Sequence, residues 1–413
     1  MRIAMVVPTF PQLSETFIVT KALGLVDRGI DVHVVCGSSP ESNWDAFGVD
    51  HRVQELRPRV HVAPTKSVHP AALNRNAQQV ARLAGASRGT LRRYFAADQG
   101  HLTRRVRDLV LDAPLIELAP DVVHFEFGAL AVDRMSIGDR LDAAVTVSFR
   151  GYDISYAGID DPEHYRQVWE RANGIHVLGH DVWRRAVQRG APEDAPHTLI
   201  SPAVDVAAIV PSPPRAGVLG SEEAPLRVLS VGRLHWTKGY DYALDAIGEL
   251  QGQGMAVEYR IIGDGDLLGA VAFWRHQLGL DVEVELLRAV PHSEVRRHLG
   301  WADVVLHAAT SEGFCNAVIE AQAGQVPVVC ADAGGLPENV DHGVTGIVVP
   351  RRDARALAGG LAALAGDPAL RQRMGLAGRE RALRLFDLDL HLDRWVQFYE
   401  DAVDHHAAAA AKG

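Results

Sequence analysis

The sequence predicts an α/β protein with two domains, each built on a parallel β-sheet. With 413 residues, the chain is longer than one ordinary hydrophobic core requires, so two domains are expected. Segments of strand length and helix length alternate along the whole chain, which is typical of parallel sheets covered by helices. A hydrophobic content of 47% and a charged content of 23% are ordinary for a globular protein.

The first half begins with a predicted βαβ unit. Residues 2–8 form a short apolar strand, Ser14 caps a helix that ends near residue 28, and Gly29 precedes a second strand at 31–36. Apolar, β-branched runs predict further strands at 121–127, 144–149, 174–178 and 198–201.

The second half follows residues 202–225, which are rich in Pro, Gly, Ser and Glu and predict a linker. Strands are predicted at 226–231, 257–262, 282–287 and 304–309, and helices at 240–250 and 317–323. Two more helices follow residue 353, and a last helix is predicted at 387–406.

Charge and cysteine usage exclude several classes of protein. A net charge of −10 gives no overall attraction to nucleic acid or to anionic lipid. Cys36, Cys315 and Cys330 have no metal-ligand spacing, and so sparse a set favours a reducing compartment, so we expect a cytoplasmic protein. His176 and His180 fall on a strand and its exit, so no metal site is predicted.

Two carboxylates lie around the start of the helix predicted at 317–323. Glu312 stands in the preceding loop, and Glu320 follows eight residues later. The helix start has free N–H groups and a positive dipole end, which together favour an anion. The N–H groups expected there belong to Gly313, Phe314, Cys315 and Asn316. An anion between carboxylates that bind hydroxyls suggests a nucleotide sugar; the alternative is that Glu312 caps the helix and Glu320 is solvated.

Two cations flank the loop after the strand at 226–231. Arg233 and Lys238 stand in GRLHWTKG, between Gly232 and Gly239. Cations at such a position can neutralise a diphosphate and stabilise the charge of a leaving group. The alternative is that both are surface charges.

These motifs together resemble a known family. The segment EGFCNAVIE, from Glu312 to Glu320, resembles the E-x7-E motif of the retaining GT-B glycosyltransferases of family 4. The following AGGLPENVDHGVTGIVVP resembles that family's usual continuation, and GRLHWTKG resembles its G-R-L-x-x-x-K-G signature. The resemblance implies two Rossmann-like domains that face a central cleft, with a C-terminal helix that crosses back onto the first domain. The domains would be 1–203 for the acceptor, 204–386 for the nucleotide sugar, and 387–413 for that helix.

The resemblance also implies an activity. In that family the first Glu contacts sugar hydroxyls, the second holds the ribose, and the Arg and Lys replace a metal at the diphosphate. We therefore expect a metal-independent hexosyltransferase that retains the anomeric configuration, needs no cofactor and uses a UDP- or GDP-sugar. Its product would belong to polysaccharide, glycolipid or glycosylated natural-product biosynthesis. A silent nucleotide-sugar-binding scaffold, a phosphorylase and an epimerase are the alternatives.

Further residues are expected around the donor. The strand at 257–262 and the GDGDL turn that follows resemble the family's next strand and turn, which makes Gly263 a candidate. The turn RAVPHSEV is expected to bring backbone groups of Arg288 and Val290 near the nucleobase.

The acceptor side is expected at the ends of the strands in the first half. Ser14, Glu15 and Thr16 belong to SETFI, which resembles a polysaccharide-building branch of the family, although helix capping also explains them. His124, Glu126, Tyr152 and Asp153 follow two later strands. Arg150 replaces a His that many relatives have. Because an arginine stays charged, we expect it to bind an anionic group; the alternative is pairing with Glu126 or Asp153.

An arginine-rich segment, 71–108, interrupts the first half. The segment contains few acidic residues, and its arginines are interleaved with apolar residues. The arginines are Arg75, Arg82, Arg88, Arg92, Arg93, Arg104, Arg105 and Arg107. A basic amphipathic helix on the inner face of an anionic membrane is one interpretation. A solvated helical insertion is the other.

Overall fold

The computed structural model describes residues 1–12, 15–47, 51–63, 83, 92, 94, 95 and 108–411. The chain divides into two compact units. The first unit consists of Met1–Leu178, Val182–Ile200 and Leu392–Gly413, and the second of Gly179–Asp181 and Ser201–His391. Each contains a parallel sheet with helices, so the prediction of two Rossmann-like α/β domains is confirmed.

The first unit is built on a seven-stranded parallel sheet of order β3-β2-β1-β4-β5-β6-β7. Its strands are β1 (Arg2–Thr9), β2 (Asp31–Ser38), β3 (Val60–Val62), β4 (Val122–Phe125), β5 (Ala144–Phe149), β6 (Gly174–Val177) and β7 (His197–Leu199). The helices along this part of the chain are α1 (Thr16–Asp27), α2 (Glu41–Ala46), α3 (His51–Glu55), α4 (Ala113–Leu118), α5 (Gly128–Ala131), α6 (Ile137–Leu141), α7 (Gly151–Ser155), α8 (Arg166–Arg171) and α9 (His180–Gln188). Every residue of β4 and β5 is buried, as continuous apolar strands covered on both faces require.

The second unit is built on a six-stranded parallel sheet of order β10-β9-β8-β11-β12-β13. Its strands are β8 (Leu226–Val231), β9 (Val257–Ile262), β10 (Val284–Arg288), β11 (Val304–His307), β12 (Val328–Ala331) and β13 (Gly346–Val349). Its helices are α10 (Tyr240–Gly252), α11 (Leu268–Gln277), α12 (His292–Trp301), α13 (Asn316–Ala323), α14 (Leu336–Asn339), α15 (Ala354–Gly366) and α16 (Pro368–Leu385). The last helix, α17 (Leu388–Ala410), lies in the first unit from Leu392 onward.

Both sheets have the same strand order around their first strand. In the first unit β1 lies between β2 and β4, and in the second β8 lies between β9 and β11. In each sheet the strand order reverses at the first strand: from β1 the chain continues to β2 on one side and later to β4 on the other, and from β8 to β9 and later to β11. Such a reversal creates a crevice outside the carboxyl ends of the strands. Ligands of open α/β sheets bind at such a switch point, so the residues after β1, β4, β8 and β11 are the candidates for ligand binding.

Three local expectations differ from the structure. The three-residue strand β3 was not predicted, because so short a run carries no periodic signal. The predicted linker, 202–225, packs on the second unit: Val206 and Leu219 are buried, and Leu219 N donates to Ala365 O at 3.0 Å. The sequence predicted Ser14 as the cap of the first helix, but α1 begins at Thr16 with Glu15 as its N-cap residue.

Some expectations lie outside the described residues. Ser14 is one, and seven of the eight arginines of segment 71–108 are others: Arg75, Arg82, Arg88, Arg93, Arg104, Arg105 and Arg107. Arg92 is described and exposed. None of the helices in the described ranges is long and apolar enough to cross a bilayer.

Candidate functional site

The loops after β8 and β11 are joined at the switch point of the second unit. The backbone N–H of Thr310 donates to Thr237 O at 2.8 Å, and that of Ser311 donates to the same oxygen at 3.3 Å. Gly239 ends the first loop with φ = 63°, and a Cβ there would lie 2.1 Å from Ala308 O. Only glycine allows this backbone approach, so the spacing of the GRLHWTKG motif follows from the packing of the two loops.

An ion pair crosses this junction. Lys238 Nζ contacts Glu312 Oε2, and their side chains are 20% and 12% exposed. Burial acts to raise the pKa of Glu312, but the Lys238 ammonium and His307 together outweigh it and lower the pKa to about 2. Burial likewise acts to lower the pKa of Lys238, but Glu312 and Cys315 together outweigh it and raise the pKa. Both groups are therefore charged at neutral pH, although water reaches little of either.

His307, the last residue of β11, also contacts Glu312. Its Nε2 lies 3.1 Å from Glu312 Oε2, and its Nδ1 lies 3.9 Å from Cys315 Sγ. Burial acts to lower the pKa of the imidazole, but the Cys315 sulfur and the Glu312 carboxylate outweigh it and raise the pKa to about 9. Burial acts to raise the pKa of the Cys315 thiol, whereas His307 lowers it.

His307, Glu312 and Cys315 are the one set of three donor side chains, within the described ranges, close enough to share a metal ion. Their ligand atoms lie within 4.8 Å of one another. Opposite ring nitrogens of His307 face the other two side chains, however, and one ion can be bound by only one of those nitrogens. Lys238 also contacts the carboxylate that would have to bind the ion. Lys238, Glu312, His307 and Cys315 therefore form a chain of contacts and not a set of ligands arranged around one ion.

Arg233 provides a second cation beside this pair. Its side chain is exposed and makes no ion pair or hydrogen bond with any residue in the described part of the chain. The adjacent Gly232 lies against Gly263, at which a Cβ would come within 1.9 Å of Gly232 O. Gly263 is thus required for the packing of this loop, while the Arg233 guanidinium is free to bind an anion.

Hydrogen bonds and one aromatic contact hold the start of α13 in place. Two of the four N–H groups predicted to bind an anion have protein acceptors: Gly313 N donates to Glu312 Oε1 at 3.3 Å, and Cys315 N donates to Asn339 Oδ1 at 3.1 Å. Phe314 packs edge-on against Phe386, with ring centroids 5.8 Å apart. Asn316, the first residue of the helix, is partly exposed.

Glu320 and the residues near β10 have other partners. Glu320 Oε1 lies 3.0 Å from His292 Nε2 at the start of α12, so the two glutamates of the motif are held by different groups. The Arg288 guanidinium pairs with Asp264 Oδ2, at 2.7 Å from Nη2 and 3.2 Å from Nε. Val290 is partly buried against the core. Roles for Glu320, Arg288 and Val290 in nucleotide binding stay predictions.

The switch point of the first unit holds a buried ion cluster. Glu126 follows β4 and has no exposed surface; it pairs with Lys21 of α1 and, at 2.8 Å, with Arg150 Nη2. Burial acts to raise the pKa of Glu126, but Lys21, His124 and Arg150 together outweigh it and hold the pKa well below the usual range. Burial lowers the pKa of Lys21 to about 8. Lys21 Nζ also lies 3.8 Å from the ring centroid of Trp395 in α17.

His124 continues this cluster into the sheet. Its Nδ1 lies 2.8 Å from Thr146 Oγ1 and its Nε2 lies 3.1 Å from Ser148 Oγ, which in turn contacts His176 Nδ1 at 2.9 Å. Burial lowers the pKa of His124 to about 4, so it is neutral at pH 7. His124 has no exposed surface.

The predicted acceptor-side residues therefore differ in accessibility. His124, Glu126 and Asp153 are buried, and Asp153 Oδ2 accepts the backbone N–H of Arg150 at 2.6 Å. Tyr152 is 68% exposed, and Glu15 and Thr16 are partly exposed. Arg150 pairs with Glu126, as the alternative interpretation held, and its guanidinium lies 4.1 Å from the centroid of the Phe17 ring. Contact of any of these residues with an acceptor stays a prediction.

Sequence reasoning missed two residues at the switch points. His307 was counted only as part of the strand predicted at 304–309, and Lys21 only as part of the helix predicted after Ser14. The available signals were a polar residue ending an apolar strand five positions before Glu312, and a lysine flanked by Val19, Ala22 and Leu25, which are buried. Neither signal names the partner, because Lys21 and Glu126 are 105 residues apart.

Comparison with known proteins gives a consistent class. Residues 216–381 match the family model described as glycosyl transferases group 1, a range that contains Arg233, Lys238, Glu312 and Glu320. One relative is WcaL of Escherichia coli (strain K12), whose name describes it as a colanic acid biosynthesis glycosyltransferase. It is 29% identical over 390 residues, which cover 88% of this chain and 90% of the relative. The amylovoran biosynthesis glycosyltransferase AmsK of Erwinia amylovora is 27% identical over 368 residues, covering 84% and 87%.

A solved structure has a similar two-domain fold. Anabaena Alr3699/HepE in complex with UDP and glucose superposes with a TM-score of 0.72 at 16% identity, covering 96% of this chain and 98% of that one. The sequence and family matches support the class of glycosyltransferase for this chain, and the structural likeness supports its two-domain fold.

Proposed function

We propose that this protein transfers a sugar from a nucleotide-sugar donor, a UDP- or GDP-sugar, to a hydroxyl group of an acceptor, with the anomeric configuration retained and without a metal. The product would belong to polysaccharide biosynthesis, the setting in which the sequence relatives are named. Glycolipids and glycosylated natural products are acceptor classes of the same chemistry.

The observation that carries this proposal is the set of charges at the switch point of the second unit. One cation, Arg233, is exposed and unpaired within the described residues, and a second, Lys238, holds the ionised Glu312 beside it. A diphosphate is bound by cations, and sugar hydroxyls are bound by fixed hydrogen-bond acceptors. Here the cations Arg233 and Lys238 lie beside such an acceptor, the Glu312 carboxylate. The site lies within the segment that matches group 1 glycosyltransferases.

The proposed chemistry follows from these charges. The bond between the anomeric carbon and the diphosphate breaks, Arg233 and Lys238 stabilise the charge that develops on the leaving phosphate, and the acceptor oxygen attacks from the same face. The leaving phosphate takes the proton of the acceptor hydroxyl. Glu312 acts as a hydrogen-bond acceptor for sugar hydroxyls, because an ion held at so low a pKa by Lys238 is a weak base.

A thermal-shift panel tests the donor. UDP, UDP-glucose, GDP and GDP-mannose are added to the full chain, and one nucleotide pair should raise the unfolding temperature; a ligand at 100 times its Kd contributes about 2.7 kcal/mol. In Arg233→Ala the same ligands should bind about ten- to a hundredfold more weakly, since one charge-assisted contact is lost, worth about 1.5–3 kcal/mol. The exposed Arg297 gives the control Arg297→Ala. No stabilisation by any of the four would contradict the proposal, and binding without donor turnover would favour the scaffold.

The two glutamates should have separable roles. Glu320→Ala is expected to weaken binding of the free nucleoside diphosphate, because the second Glu of the motif is proposed to hold the ribose. Glu312→Ala should leave that affinity within about twofold while removing the extra affinity and turnover that depend on the sugar. Calorimetry with the diphosphate and with the matching nucleotide sugar measures both. Equal losses of diphosphate affinity in the two variants would show that the roles are not divided.

A further inference from the structure

We propose that His307 is a positioning residue for Glu312: its imidazole, fixed by Cys315 on one side, holds one carboxylate oxygen so that the other faces the donor sugar. This inference rests on the proposed function, because it assigns a task to a residue behind the same site. It adds a group that neither the E-x7-E motif nor the cation loop contains.

The backbone of His307 is rigid. It ends β11, which is paired with β8 on one side and β12 on the other, and it lies opposite Cys330 in the register with β12. Its side chain is 5% exposed. A residue at the end of a central strand has its Cβ direction set by the sheet, so the ring can reach Glu312 only along one path.

Both ring nitrogens have partners. Nε2 donates to Glu312 Oε2 at 3.1 Å, and Nδ1 lies 3.9 Å from Cys315 Sγ, a distance suited to a sulfur hydrogen bond. With contacts at opposite edges, the ring cannot rotate without losing one of them. Cys315 itself is fixed, because its backbone N–H donates to Asn339 Oδ1 at 3.1 Å and its C=O accepts from Asn339 Nδ2 at 3.3 Å.

The two oxygens of Glu312 are used unequally. Oε2 is contacted by both Lys238 Nζ and His307 Nε2, whereas Oε1 receives the backbone N–H of Gly313 at 3.3 Å. A carboxylate oxygen can accept two hydrogen bonds, so Oε1 keeps capacity for a hydroxyl group of a ligand. Two donors on one oxygen also prevent the carboxylate from turning about its last bond.

The charges around the ring favour its protonated form. Glu312, Cys315 and Lys238 face it, and the first two outweigh burial and the Lys238 ammonium to raise its pKa to about 9. The Tyr240 phenol and the Cys330 thiol are the nearby neutral groups, since burial raises the pKa of each. The Glu312 carboxylate thus faces two cations, the Lys238 ammonium and the His307 imidazolium, and the Cys315 sulfur is the second group that favours the imidazolium.

The first test needs no ligand. In the unliganded protein, the His307 ring is followed by NMR across pH 5.5–10 and assigned by its loss in His307→Gln. We expect protonation to persist above pH 8 in the wild type and to end at a lower pH in Glu312→Gln, which removes one of the two groups that raise the pKa of His307. His298, a buried histidine outside the site, should titrate alike in both. A His307 midpoint that Glu312→Gln leaves unchanged would overturn the inference.

The second test separates positioning from folding. Using whichever nucleotide sugar stabilises the wild type, His307→Ala should bind the diphosphate within about twofold of wild type yet lose donor turnover about 10- to 100-fold, the usual effect of misplacing a group by about 1 Å. His307→Gln, which can still donate to Oε2, should recover most of that loss, and His298→Gln should lose none. Unchanged turnover in His307→Ala, or loss of diphosphate binding to the same degree, would overturn it.

The outcomes also distinguish the two proposals. If no nucleotide binds the wild type, the proposed function fails while the NMR titration still decides the His307–Glu312 coupling. If the isolated protein holds one equivalent of zinc that Cys315→Ser releases, His307, Glu312 and Cys315 form a metal site, and the positioning role is wrong.

Discussion

Lys238→Ala is expected to lower donor turnover by about 100-fold or more, the largest loss among single changes at the site. The substitution removes a cation that would contact the diphosphate, worth about 1.5–3 kcal/mol, and it leaves the largely buried Glu312 with only His307 as a charged partner. The measurement is kcat/KM for nucleoside diphosphate release from the donor, with water or an added sugar as acceptor.

Three comparisons make the Lys238 result interpretable. Lys238→Arg keeps the charge and should keep more activity than Lys238→Ala. Lys238→Ala combined with Glu312→Gln removes the unpaired carboxylate, so it should recover stability without recovering turnover. Arg297→Ala removes an exposed cation and should change neither. A loss of less than tenfold in Lys238→Ala would mean that the ion pair serves the fold and not the donor.

Glu126→Ala is expected to have the largest effect on stability, about 3–5 kcal/mol in the first unit. It leaves the buried Lys21 and the partly buried Arg150 as neighbouring cations without their shared counter-ion, and an uncompensated buried charge is costly. Peptide-resolved hydrogen exchange is the measurement, because it reports opening of the first and second units separately. The exposed Glu285, paired with Arg260, gives the control Glu285→Ala, for which about 0.5 kcal/mol or less is expected.

The pH dependence of Glu126 gives a further check. Because its folded pKa is held well below that of an ordinary carboxyl, its contribution is present above the ordinary value and is lost as the pH falls through the folded value. Stability of the wild-type first unit should therefore decline on acidification more steeply than that of Glu126→Gln. Equal slopes, or a small loss in Glu126→Ala, would show that the cluster is not ionised as described.

The strands were the most predictable part of the fold. Strands at 144–149, 226–231 and 257–262 lie where the sequence placed them, because the apolar residues of these short segments supply the buried positions of the sheets. The end of α17 at Ala410 in place of 406 was harder, since a run of alanines continues a helix without any stop signal.

The site was predictable as a set of residues but not as a set of contacts. Arg233, Lys238 and Glu312 could be singled out by motif, yet the pairing of Lys238 with Glu312 joins positions 74 residues apart through the adjacency of β8 and β11. Arg150 shows the same limit: both an anion-binding and a paired arginine fit the sequence, and only the position of Glu126 distinguishes them. His307 was missed because its importance comes from its neighbours.

The shared strand order of the two sheets bears on how many nucleotides one chain can hold. Each unit has a lysine after its first strand and a glutamate after its fourth, Lys21 with Glu126 and Lys238 with Glu312, so each has the same crevice. In the first unit the side chains of Lys21, Glu126 and Arg150 pair with one another at that position. In the second unit Arg233 remains exposed beside it. Calorimetry should accordingly give a stoichiometry of one nucleotide per chain, even though the fold repeats.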